Sequence, residues 1–183
     1  MSALKNTLLL LTLLCAATHG GILFDMPEGW AELDIQRPNP TSNVDFEVYA
    51  LKEGGVSLTA TRQALVAKTT RDAEETVRGT LDSMILKGFE VTSTSSTMVQ
   101  GLEARHLQGT LPNPEEDGRI VVDTYLVFTS TSLAGATISQ HPDAVVPGRA
   151  ESLLSHLKIP GSPVSLYPAP PSDITQTANY KVG

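Results

Sequence analysis

Three histidines carry most of the acid–base potential in the body of this 183-residue chain. His106 stands in the alternating stretch LEARHLQGTL, His141 opens His141-Pro142-Asp143, and His156 falls within the apolar-striped segment ESLLSHLK. Imidazole is the side chain suited to proton transfer near neutral pH. A serine nucleophile would need such a base and an oxyanion hole, and no G-x-S-x-G elbow occurs, although serines are many. His141 and Asp143 bring two metal-type donors close together, and Glu115, Glu116 and Asp117 in PNPEEDG add further oxygens. Zinc or manganese needs three or four converging ligands, and no spacing such as H-E-x-x-H supplies them. No glycine-rich phosphate loop is present either. The patterns therefore assign no catalytic, cofactor-binding or metal-binding residue. His106 and His156 read as surface or satisfied histidines, His141-Pro142-Asp143 as a turn with a helix-capping Asp143, and the acidic loop as solvated.

The N-terminus speaks to compartment rather than chemistry. Lys5 precedes a Leu-rich run from Thr7 to Cys15, followed by Ala16 and Ala17. That is the form of a secretory signal peptide, and the apolar run is well short of the roughly 20 residues needed to span a bilayer. Small residues allow cleavage after Ala17 or after Gly20, which would remove His19 or leave it at the new terminus. Cys15 is the only cysteine, and lipidation usually asks for a small residue before it, where Leu14 stands. Lipid anchoring is therefore not expected, and the mature chain has no disulfide, which suits a periplasm-like space or secretion. Without Lys5 the chain carries 12 basic and 20 acidic residues, a net charge of −8. Such a balance, with no dense Lys/Arg cluster, argues against nucleic acid or an anionic membrane as partner.

The elements that must position these residues follow from periodicity. VDFEVYAL from Val44 alternates, with Val44, Phe46, Val48 and Ala50 on one side and Asp45, Glu47 and Tyr49 on the other. Glu53-Gly54-Gly55 is a turn, and VSLTATRQAL completes a hairpin. Ala73, Val77, Leu81, Met84 and Ile85 recur at helical spacing, predicting a helix over about residues 71–87, capped by Thr69, Thr70 or Asp72 and stopped by Gly88. Four β-rich segments follow: FEVTSTSSTMVQ, LEARHLQGTL, RIVVDTYLVFTS and SLAGATISQ. In the third, Ile120, Val122, Leu126 and Phe128 share a face interrupted by Thr124, as for a central strand with one side on the core. A last helix is expected over Pro147–Lys158, with Ala150, Leu153, Leu154 and Leu157 as its stripe. From Pro160 on, five prolines and no helical period predict an extended tail in which Tyr167 is a docking candidate. The organisation expected is a signal over 1–20, an α+β domain over 21–160 with antiparallel sheet and packed helices, and a disordered tail over 161–183.

Phe24, Pro27, Gly29 and Trp30 form an F-x-x-P-x-G-W opening, the first helix ends in Lys87-Gly88-Phe89, and Gly101-Leu102-Glu103-Ala104-Arg105 precedes HLQGTL and a Y-L-V-F strand. In these motifs, over roughly residues 22–160, the chain resembles the PsbP/DcrB-type superfamily. The resemblance implies an α/β/α sandwich around an antiparallel sheet and proteins that mostly bind macromolecules. PsbP proteins assist the photosynthetic oxygen-evolving complex, DcrB proteins sit in the bacterial envelope, Mog proteins bind a small GTPase, and EagR-type chaperones hold apolar segments of toxins. By analogy the expected function is an exported, non-enzymatic binding or chaperone-like module for a protein or lipid-like partner in the envelope. Trp30, the only tryptophan, reads as core packing at the start of the first strand. The alternative is an exported hydrolase-like enzyme whose site forms only in the fold. A His106 or His141 buried in a concave pocket beside a carboxylate would favour it; scattered, solvent-facing histidines would count against it.

Overall fold

The computed structural model describes residues 23–35, 44–64, 70–113 and 116–164. The expected signal segment with Cys15 and His19, the candidate cap Thr69, Glu115, and the proline-rich stretch from residue 165 with Tyr167 lie outside the described residues.

Seven strands, β1 (Trp30–Leu33), β2 (Val44–Leu51), β3 (Val56–Ala64), β4 (Glu90–Val99), β5 (Leu102–Pro112), β6 (Arg119–Phe128) and β7 (Ser132–Gln140), form one sheet. Their order is β1-β2-β3-β7-β6-β5-β4, antiparallel at every junction. The crossover from β3 to β4 carries the chain past β7, β6 and β5 through helix α1 (Thr70–Ile85). A second helix, α2 (Arg149–Leu154), follows a 3-10 turn at Pro142–Ala144.

Alternation along each strand divides the core in two. On the first face, Tyr49, Leu58, Ala104, Tyr125, Val127, Ala136 and Ile138 pack with Ala150, Leu153 and Leu154 of α2 and with Leu23, Phe24 and Leu157. On the second, Leu107, Val122, Leu126, Phe128 and Leu133 pack beneath Ala73, Val77 and Leu81 of α1 and beside Phe89. β6 is thus buried on both sides rather than one, as befits a strand with a helix over each face. Its Thr124 does not break the pattern: the hydroxyl meets that of Thr137 on β7 at 3.1 Å, a cross-strand pair on the second face. In β2 the alternation holds, yet the deeper side is the one with the polar residues. Tyr49 is 1% exposed, whereas Val44, Phe46, Val48 and Ala50 are only half-buried.

α1 keeps close to its expected limits because Gly88 adopts a left-handed φ of 88°. Gly88 N–H then donates to Ile85 O (2.9 Å) and Phe89 N–H to Met84 O (3.1 Å), closing the helix end and dropping Phe89 into the core. α2 is shorter than its apolar stripe, six residues instead of twelve. Gly148, at φ 77°, leaves Pro147 outside the helix, and Ser155 and His156 turn away at the other end. The two helices among the described residues lie on opposite faces, and each covers only part of its face. The described residues are mostly sheet, an α+β fold less fully clad in helix than an α/β/α sandwich implies.

After α2 the chain crosses to the second face. Ser130 N–H donates to Ser162 O (3.0 Å), Pro163 bridges to Thr129, and Val164 packs against the second core, so the first residues of the expected tail are held by the β6–β7 turn.

Candidate functional site

Among the described residues, His106 is the one histidine that the fold brings into a concave place beside a buried carboxylate. β5 and β6 pair with His106 opposite Tyr125 and Gln108 opposite Asp123. Side chains of one parity share a face, so all four stand together on the first face, where Tyr125 meets the edge of α2. His106 Nε2 lies 2.8 Å from Asp123 Oδ1, and Gln108 Nε2 donates to the same oxygen at 3.1 Å. Asp123 is 5% exposed. In the neutral tautomer with its hydrogen on Nε2 the imidazole donates to this carboxylate, and Nδ1 then carries a bare lone pair. The ring lies flat on Tyr125, centroids 4.2 Å apart and planes 3° from parallel. Hydrogen bond and stack together fix its orientation.

The cleft in front of this ring has a volume of about 320 Å³. Val99 and Leu154 give it apolar walls, Thr97 and Ser155 add hydroxyls, and Glu151 of α2 stands exposed at its edge. Gln100 joins its two walls: at the β4–β5 turn, with φ 52°, its amide donates to Leu154 O and Leu157 O, each at 2.8 Å. Leu154 is the last residue of α2 and Leu157 lies beyond it in the bridge to Phe24, so one side chain ties the hairpin to the helix end and to the segment that follows. Burial pushes the Tyr125 phenol well above its usual range, and the charges of Glu151 and Asp123 push it further.

A second hollow, of about 410 Å³, lies where Pro27, Trp30 and Leu51 meet Val146, Arg149 and His156. Trp30 is 5% exposed and belongs to the first core, so it forms the floor of this hollow as a packed residue. His156 is half-buried, its ring 5.9 Å from that of Phe24.

His141 has no such setting. Its Nδ1 accepts from Asp143 N–H at 3.4 Å, so the imidazole caps the 3-10 turn, the role expected of Asp143. Its Nε2 is 3.9 Å from Glu116 Oε2, and the side chains of Glu116 and Asp143 are 71% and 93% exposed. Asp117 is exposed in the same loop. Among the described residues no three His, Cys, Asp or Glu side chains converge to hold a metal ion. No helix among them is long and apolar enough to cross a membrane.

Comparison with solved structures places this architecture. The chain superposes on the solution structure of cyanobacterial PsbP (CyanoP) from Synechocystis sp. PCC 6803 with a TM-score of 0.52, over 74% of this chain and 85% of that one. The fold is PsbP-like. Sequence identity to CyanoP is 16%, so the likeness concerns the fold alone. No family model matches the chain, and no curated protein matches it by sequence. Within this PsbP-like fold, the His106–Asp123 pair was hidden in the sequence because strand register alone brings together two residues seventeen apart. The signal that could have found it is the H-x-Q and D-x-Y spacing of two segments that also read as hairpin partners.

Proposed function

We propose that the protein is an exported, non-enzymatic binding module that holds a protein or lipid-like partner on the half of its sheet that no described helix covers. The observation that carries this reading is an apolar stripe outside both cores. Ala31 and Leu33 of β1 and Val44, Phe46, Val48 and Ala50 of β2 share the second face by alternation with the buried Trp30 and Tyr49. All six are half-buried, and none belongs to either core. The buried side chains of α1 group instead with those of β5, β6 and β7. Ile35, just beyond β1, is 48% exposed and extends the apolar surface. Contiguous apolar surface of this kind marks interaction sites. The signal-like N-terminus and the macromolecular partners implied by the PsbP/DcrB resemblance support the same reading.

The test is cross-linking of the mature protein in intact cells, comparing the native chain with Phe46→Asp. Partners enriched above an unrelated exported control and lost in the variant are expected. Equal recovery with both chains, or none above the control, overturns the reading.

A second reading rests on His106 and Asp123, a buried carboxylate orienting an imidazole within a cleft, as in the base half of a hydrolase site. It predicts ester or amide hydrolysis that disappears in His106→Phe. Activity equal in both chains dismisses it.

A further inference from the structure

We propose that the cleft between β4–β6 and α2 is a binding site for a primary aliphatic ammonium group, either of a small free amine or of a lysine side chain. The site lies on the face opposite the apolar stripe of β1 and β2, so it stands or falls independently of the binding module described above.

His106 Nε2 meets Asp123 Oδ1, and Nδ1 makes no hydrogen bond among the described residues, so in the neutral Nε2–H tautomer it is a free acceptor. Glu151, at the edge of the cleft, makes no ion pair among them either. No lysine or arginine lines the cleft. With His106 in its neutral Nε2–H tautomer the site offers an imidazole acceptor and a carboxylate without an ion pair among the described residues, with a second carboxylate buried behind them and apolar walls from Val99 and Leu154. A carboxylate or phosphate ligand would meet like charge and no compensating cation. An alkylammonium has three N–H donors and no acceptor, and its chain suits the apolar walls. A volume of about 320 Å³ matches a small ligand, at the low end of the roughly 300–1,000 Å³ usual for ligand pockets. The upward push on the Tyr125 phenol, after burial, comes from Glu151 and Asp123, which agrees with a negative field here.

The test is an NMR titration of the isotope-labelled full chain with n-butylammonium, with butyrate and 1-butanol as matched controls. Saturable shifts of the His106 ring and of amides near Val99 and Gln100 are expected with butylammonium alone. Glu151→Gln, a change at an exposed position, should weaken the affinity roughly tenfold, the scale of one charge-assisted hydrogen bond. His106→Phe, which keeps a ring against Tyr125, should weaken it as well. Capped lysine (Nα-acetyl-lysine methylamide) separates the sources: comparable binding points to a partner's lysine, and binding of butylammonium alone to a free amine. No saturable shift, an equal response to 1-butanol, or unchanged affinity in Glu151→Gln overturns the proposal.

Discussion

Tyr49 shows how a single buried phenol ties the fold together. Its hydroxyl donates to Glu47 Oε2 at 2.5 Å, and the same oxygen accepts from Leu23 N–H at 2.9 Å, so one carboxylate pins the N-terminal segment to β2. Burial, then the hydrogen bond to Glu47, then nearby carboxylate charge push the Tyr49 phenol far above its ordinary range. Tyr125 shifts in the same direction, chiefly through burial. A phenol whose folded value is raised contributes stability that is present below the unfolded value of about 10 and is lost as pH rises above it. Stability measured by denaturant should therefore decline above about pH 10. Tyrosinate absorbance for these two residues should appear only as the chain unfolds; ionisation of all tyrosines near the ordinary value with the fold intact would contradict this. At the same scale, Asp123→Ala strands the Nε2 hydrogens of His106 and Gln108 and should cost about 1–3 kcal/mol. Denaturant melts of the variant measure that loss. Little of this was legible beforehand. Glu47 reads as a solvent-facing residue of an alternating strand until Tyr49 and Leu23 are seen to share it.

At the scale of elements, close approach decides more than propensity. β4 opens with a register shift between Val91 and Ser93, and a Cβ on Gly109 of β5 would lie 2.2 Å from Glu90 O and 2.6 Å from the Phe89 ring. Gly109→Ala must displace backbone or Phe89 and should lower stability by about 1–3 kcal/mol, as overpacking does. A melting temperature equal to that of the native chain would show that the strand end yields freely. Gln100→Ala removes the donor to the carbonyls of Leu154 and Leu157 and should cost about 1 kcal/mol or more. Faster amide exchange confined to α2 and the β4–β5 turn would locate the effect. The limits of α1 were readable because its stop is a local signal, Lys87-Gly88-Phe89. The length of α2 was not, since its stripe continues to Leu157 while a left-handed Gly148 and the turn at Ser155 set its ends. The Gln100 side chain reaches residues 54 and 57 positions away, which no periodicity reveals.

For the whole molecule, the order of strands and helices could be read from alternation, helical spacing and glycine turns, and the PsbP-like likeness agrees with that order. What could not be read is the position of α1. Its crossover passes three strands, and its buried side chains pack on β5, β6 and β7, leaving β1 and β2 with apolar side chains on the same face. This is why Val44, Phe46, Val48 and Ala50 look like core residues in sequence but are only half-buried. If that half of the sheet receives the partner, a charge there should abolish binding while the two cores, which lack these residues, keep the fold. The most direct test places a photo-activatable cross-linking residue at position 46, with an equivalent residue at the exposed Glu75 of α1 as control. A discrete adduct at 46 that is absent at 75, and lost when Val48→Asp is added to a chain that still melts cooperatively, is the predicted result. Adducts equal at both positions, or none at 46, would contradict it.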